Sequence, residues 1–90
     1  MDGITMASGS YKANNINVKL AKSGDKAAFS ELIDCHRQTL YRVAKGILKS
    51  DFDVADAIQE AIISAYKNIG SLKNEDYFKT WIIRILINEC

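Results

Sequence analysis

The sequence predicts an all-α protein, a compact bundle of about four helices. Three observations lead there. The 90 residues contain no proline, the residue that most often interrupts helices. Apolar residues recur at three- and four-residue spacing through most of the chain, and strand-like alternation is scarce. Glycines and short acidic or hydroxyl residues punctuate that pattern where helices would stop and start.

Residues 1–15, MDGITMASGSYKANN, are polar, small and aperiodic. They read as a disordered leader or a cloning remnant. The domain is expected over 16–90. A first short helix is predicted from Ile16 to Ser23, with Gly24 as its C′ residue and Asp25 capping the next helix. That second helix begins near Lys26. Phe29, Leu32, Ile33, Leu40, Val43, Ala44 and Ile47 share its apolar face. His36 falls on the same face and reads as a core ring with a satisfied nitrogen rather than a ligand. Gly46 weakens the helix near its end. Arg37, Arg42, Lys45 and Lys49 leave a basic patch there.

Ser50, Asp51 and Asp53 are N-cap candidates for a third helix. Its apolar face is Val54, Ala57, Ile58, Ala61, Ile62, Ala65 and Ile69, and Gly70 ends it. The loop GSLKNED follows. The last helix starts near Asp76 or Tyr77 and contains WIIRILI, residues 81–87. By propensity that run is a strand. By period it is a helix, with Phe78, Trp81, Ile82, Ile85 and Leu86 on one face and Thr80, Arg84 and Asn88 on another. An isolated strand would have no partner in a helical chain, so the period decides. Ile83 and Ile87 widen the apolar surface beyond one face. The helix reaches Cys90 without a stop signal, so the chain is expected to be truncated there.

Composition narrows the function classes. Hydrophobic content of 48% supports a real core, and the net charge of +1 announces no bulk nucleic-acid binder. Two distant cysteines, Cys35 and Cys90, are too few for a disulfide framework, and Cys35–His36 lacks a second ligand pair for zinc. They read as free thiols in a reducing cytosol, with no metal and no cofactor. No run is long enough for a membrane span, and no signal pattern is present. The expected location is therefore cytoplasmic, without membrane insertion. One histidine, no Gly-rich phosphate loop and no acid pair within an apolar face argue against an enzyme.

Two surfaces stand out. On the third helix Asp56, Gln59, Glu60 and Ile63 lie away from the apolar face. They read either as an ordinary polar face with one exposed Ile or as a partner-binding strip. Around the last loop and helix, Lys73, Asn74, Lys79, Arg84 and Asn88 offer cations and amides beside Ser71, Leu72, Tyr77 and Trp81. Such interleaving suits single-stranded nucleic acid, although Glu75, Asp76 and Glu89 offset much of the charge and Trp81 also suits a core position.

Taken together, GDKAAFSELIDCHRQTLYRVA, DVADAIQEAIISAY and FKTWIIRILIN resemble region 2 of bacterial extracytoplasmic-function (ECF) sigma factors. The resemblance covers residues 18 to 90, in order and with natural spacing. It implies a helical domain that docks on the clamp helices of the RNA polymerase β′ subunit and recognises and melts the promoter −10 element. Asp56, Gln59 and Glu60 match the family's polymerase-contact motif, with Ile63 beside them. Ser71, Leu72, Lys73 and Asn74 match the loop that holds a flipped non-template base. Arg84 and Asn88, with Lys79, match the base and phosphate contacts of the last helix. The family also implies inhibition by an anti-sigma factor.

The sequence departs from the pattern in several places. His36 stands where Tyr is common, and Leu86 where a small residue is common. The basic tail and the second, helix-turn-helix domain are absent, so this chain is expected to bind duplex promoter poorly. The residues leave open a helical protein-interaction module or transcription adaptor without direct DNA recognition, and a helical enzyme fragment.

Overall fold

The computed structural model describes residues 16–90. The expected leader at 1–15 lies outside them. The described residues form four α-helices joined by short turns, with no strand among them. Helix α1 occupies residues 16–22. Gly24, with φ at +105°, reverses the chain in a backbone region where a side chain would be strained. Asp25 then caps α2 (Lys26–Ile47), its carboxylate accepting from the Ala28 amide at 3.0 Å. Gly46 sits inside the last turn of α2, which stops one residue later.

Ser50 caps α3 (Asp51–Asn68), its hydroxyl accepting from the Asp53 amide at 3.4 Å, and Asp51 and Asp53 place negative charge at the helix's positive end. Gly70 does not terminate α3 as a left-handed cap. The helix stops at Asn68 and tightens into a 3-10 turn, Ile69–Ser71. The Ser71 hydroxyl donates back to the Asn68 carbonyl at 2.7 Å, satisfying one of the acceptors a helix end leaves free. Helix α4 (Phe78–Glu89) begins one to two residues later than the sequence suggests. A second 3-10 turn, Glu75–Tyr77, intervenes, capped by Asn74, whose side-chain oxygen accepts from the Asp76 amide at 2.9 Å.

Helices α2, α3 and α4 pack pairwise. Leu32 and Leu40 from α2, Ala61 and Ala65 from α3, and Ile82 and Leu86 from α4 are all sealed from solvent. Val18 and Ala21 bring α1 into the same core. Fully burying one such aliphatic side chain contributes about 1.5–3 kcal/mol. The α3 face toward the core is built on Ala57, Ala61 and Ala65, small residues that let neighbouring helices approach closely.

The helical reading of WIIRILI holds, with an adjusted face. Phe78, Ile82 and Leu86 are buried, whereas Trp81 and Ile85 are only partly so. Ile83 packs partly against the core and Ile87 is exposed. Ile47, expected on the apolar face of α2, is also exposed, as the last residue of its helix. His36 is half-buried rather than fully enclosed. Its Nδ1 lies 2.8 Å from the Leu32 carbonyl, an acceptor only, so Nδ1 carries the proton and donates. The ring tilts against Phe78 at 5.3 Å between centroids.

Candidate functional site

Two of the concavities bear on the candidate residues, one along α3 and one beyond its C-terminus. The first is a groove of about 540 Å³ between α2 and α3. Arg37 and Tyr41 form one bank. Gln59, Ile62 and Ile63 line the other, with Val54 and Ile58 between. The groove brings Gln59 and Ile63 together. Asp56 and Glu60 are exposed just outside it on α3. Among the described residues none of Asp56, Gln59 and Glu60 makes an ion pair, so their polar atoms are available to a partner. Arg37 is drawn toward Asp34, 3.4 Å away on its own helix.

The Lys45 ammonium hydrogen-bonds the Asp51 carboxylate across the α2–α3 turn. That hydrogen bond, reinforced by the Lys45 charge, holds the Asp51 carboxyl below its ordinary range. The same bond raises Lys45. Burial, opposed by nothing else nearby and assisted by the Glu89 charge, raises the Cys90 thiol.

The second concavity, about 520 Å³, sits where the loop after α3 meets the first turns of α4. Ser71, Lys73 and Asn74 form its loop side. Tyr77, Thr80, Trp81 and Arg84 form its helix side. Leu72 reaches it only as floor, because its side chain is 5% exposed and anchors the loop in the core. Tyr77, 63% exposed, and Trp81, held at 45° against Phe78 with centroids 5.9 Å apart, offer two aromatic surfaces at one mouth. Lys73 and Arg84 bring positive charge, and neither is paired with an acid among the described residues. Glu75 is turned to Lys22 of α1, 3.7 Å away. One of the offsetting acids is thereby engaged elsewhere.

Five of the seven nucleic-acid candidates, Ser71, Leu72, Lys73, Asn74 and Arg84, line this pocket. Lys79 and Asn88 do not. Asn88 is exposed one turn beyond Arg84, about 6 Å further along the helix. Lys79 is turned away from Arg84 by about 140° at 3.6 residues per turn. Arg37 and Tyr41 were not legible as groove residues from sequence, because only the packing of α2 on α3 places them. Thr80 and Trp81 carry a signal, their spacing to Arg84, but the loop has to fold over them before they form a wall. Among the described residues no group of three His, Cys, Asp or Glu could hold a metal ion. No helix among them is long and apolar enough to cross a membrane.

A groove beside the exposed acidic and amide groups of α3, and a basic, aromatic pocket beyond its C-terminus, are two surface features of this all-α module. Residues 32–90 match the Sigma-70 region 2 family. The chain belongs to that family. It is 35% identical over 71 residues to the ECF RNA polymerase sigma factor SigW of Bacillus subtilis, covering 79% of this chain and 38% of the relative. It is 34% identical over 68 residues to SigM of Mycobacterium tuberculosis, covering 76% and 35%. With the ECF sigma-E factor of Escherichia coli K12 it shares 31% over 75 residues, covering 83% and 39%. The chain thus spans less than half the length of each of these relatives. Among solved structures, an engineered region 2 of sigmaE in complex with GTAAAA superposes with a TM-score of 0.78 at 29% identity, covering 84% of this chain and 79% of that one.

Proposed function

We propose that this chain is the core-binding and −10-recognition domain of an ECF sigma factor. It acts in the cytoplasm as a transcription initiation factor, without catalysis or a cofactor of its own. The observation that carries the reading is the pocket between the Ser71–Asn74 loop and the Tyr77–Arg84 face. The chain's similarity to a region 2 in complex with GTAAAA supports the same ligand class.

The chemistry of the pocket fits an unstacked base. Opening a duplex costs stacking and pairing energy, and a pocket that accepts an extruded base offsets a few kcal/mol of it. Trp81 and Tyr77 supply flat surfaces on which bases stack. Ser71 and Asn74 supply polar groups at the rim. Part of their capacity is already used, the Ser71 hydroxyl donating to Asn68 and the Asn74 oxygen accepting from Asp76, which leaves the Asn74 amide nitrogen as a donor and the Ser71 oxygen as an acceptor for a base edge. Arg84 and Lys73 meet phosphates, which position the strand without reading it. Asn88 lies where the next nucleotide would pass along α4. Along α3, Asp56, Gln59, Glu60 and Ile63 are offered to the clamp helices of the polymerase β′ subunit. An anti-sigma protein would inhibit by covering either surface.

The test is binding of fluorescent single-stranded hexanucleotides, GTAAAA against its scrambled orders, together with retention on RNA polymerase core. Preference for ordered A-rich strands, lost in Arg84→Ala and weakened in Asn88→Ala, is expected. Core retention should be lost in the Asp56→Ala, Gln59→Ala double variant. Core retention with no single-strand binding at all would instead make the chain an adaptor without DNA recognition.

A further inference from the structure

Phe52 is 79% exposed on the first turn of α3. A single exposed aromatic is unremarkable on a surface, but its position is not arbitrary. Phe52, Asp56, Gln59 and Ile63 follow one another at intervals of four, three and four residues. At 3.6 residues per turn they fall within about 60° of each other. That interval pattern is the one by which one helix presents a continuous seam to another. Ile63, 41% exposed, closes the row at its other end, about 16 Å along the axis. The seam therefore has an apolar residue at each end and polar groups between. From Phe52 to Ile63 the helix carries the acids Asp53, Asp56 and Glu60 and no base.

We propose that Phe52 is an aromatic anchor of the polymerase-binding surface, seated against the same partner helix as Asp56 and Gln59. The inference rests on the core-binding reading given above. It extends that surface by a full turn toward the start of α3, beyond the Asp-x-x-Gln-Glu residues. The occupant is a helix of the polymerase core that presents bases to Asp56 and Glu60 and an apolar residue to Phe52. Burying an aromatic ring at the end of a charged seam adds affinity and fixes register, because the partner can slide neither way without uncovering Phe52 or Ile63.

The experiment measures affinity of the chain for purified bacterial RNA polymerase core, for the wild type and for Phe52→Ala, Phe52→Tyr and Asp56→Ala. Helical content and GTAAAA binding are followed in parallel. Phe52→Ala is expected to weaken core binding about tenfold, Phe52→Tyr to restore most of it, and both to leave helicity and hexanucleotide binding unchanged. Loss in Asp56→Ala with wild-type affinity in Phe52→Ala overturns the anchor and leaves the core-binding reading standing. No loss in either variant overturns the core-binding reading itself. Self-association of the chain that disappears in Phe52→Ala, with core affinity unchanged, would assign the seam to a second copy and overturn the proposal.

Discussion

The Lys22 ammonium and the Glu75 carboxylate lie 3.7 Å apart, joining the end of α1 to the turn that precedes α4. The pair is less than a third exposed on either side, and its contribution to stability is at most about 1 kcal/mol. Its larger effect is electrostatic, since it engages one of the two acids that separate Asn74 from Tyr77 of the basic pocket. Lys22→Ala is expected to lower hexanucleotide affinity by releasing that charge, whereas Glu75→Gln should bind as well as wild type or better. Anisotropy titrations distinguish the two, and equal losses in both variants would reduce the pair to a brace.

The two N-caps differ in quality, and substitutions should rank accordingly. Asp25 accepts from the Ala28 amide at 3.0 Å, while Ser50 accepts from the Asp53 amide at 3.4 Å. Asp25→Ala is expected to cost about 1 kcal/mol, near the middle of the range for capping residues, and Ser50→Ala less. Urea midpoints at constant m-value measure both. A larger loss at Ser50 would contradict the ranking.

Arg84 and Lys79 belong to the same helix but not to the same surface. Arg84→Ala should reduce single-strand affinity and lower the slope of log K against log salt by about 0.7, the value for one phosphate contact on a single strand. Lys79→Ala should change neither. Titrations at several salt concentrations report both quantities, and a slope change at Lys79 would mean that the strand wraps around α4.

The Lys45–Asp51 pair makes a pH-dependent contribution whose sign is fixed. The Lys45 hydrogen bond depresses the folded-state pKa of Asp51 below 3.8. Its contribution is therefore fully present above the unfolded pKa and is lost as pH falls through the folded one. Lys45 is raised above 10.5, so its share persists through neutral pH and is lost as pH rises through that higher value. Both groups are exposed, and the effect is small and screened by salt. The difference in urea midpoint between wild type and Asp51→Asn should shrink on acidification to about pH 2 and in about 1 M salt. An unchanged difference would mean that the substitution acts through the first turn of α3 rather than through Lys45.

Much of the fold was legible because its signals are local. Gly24, Asp25 and Ser50 mark helix ends through the conformation of one residue and a side-chain bond three residues long. The apolar period placed Leu32, Leu40, Ala61, Ile82 and Leu86 in the core. What sequence could not supply was the path of the chain between α3 and α4. Asn74, counted as a base contact, also caps the turn before α4, and Leu72 is spent on the core. Trp81 follows the period of the buried face, yet the loop leaves its edge open, and that edge makes the pocket. The groove shows the same limit: Gln59 and Ile63 stand out on α3 alone, but Arg37 and Tyr41 become their neighbours only through helix packing.

The alanines at 57, 61 and 65 set α3 close against its neighbours, and the helix runs unbroken from the groove to the turn that starts the pocket loop. It therefore works as a ruler. The span from Gln59 to Asn68 is fixed by the helical rise, and the direction in which the pocket loop leaves by the helical turn. One residue inserted after Ile63 would turn everything beyond it by about 100° about the axis, so that the loop could keep its place against α4 only if Ala65 and Ile69 left the core.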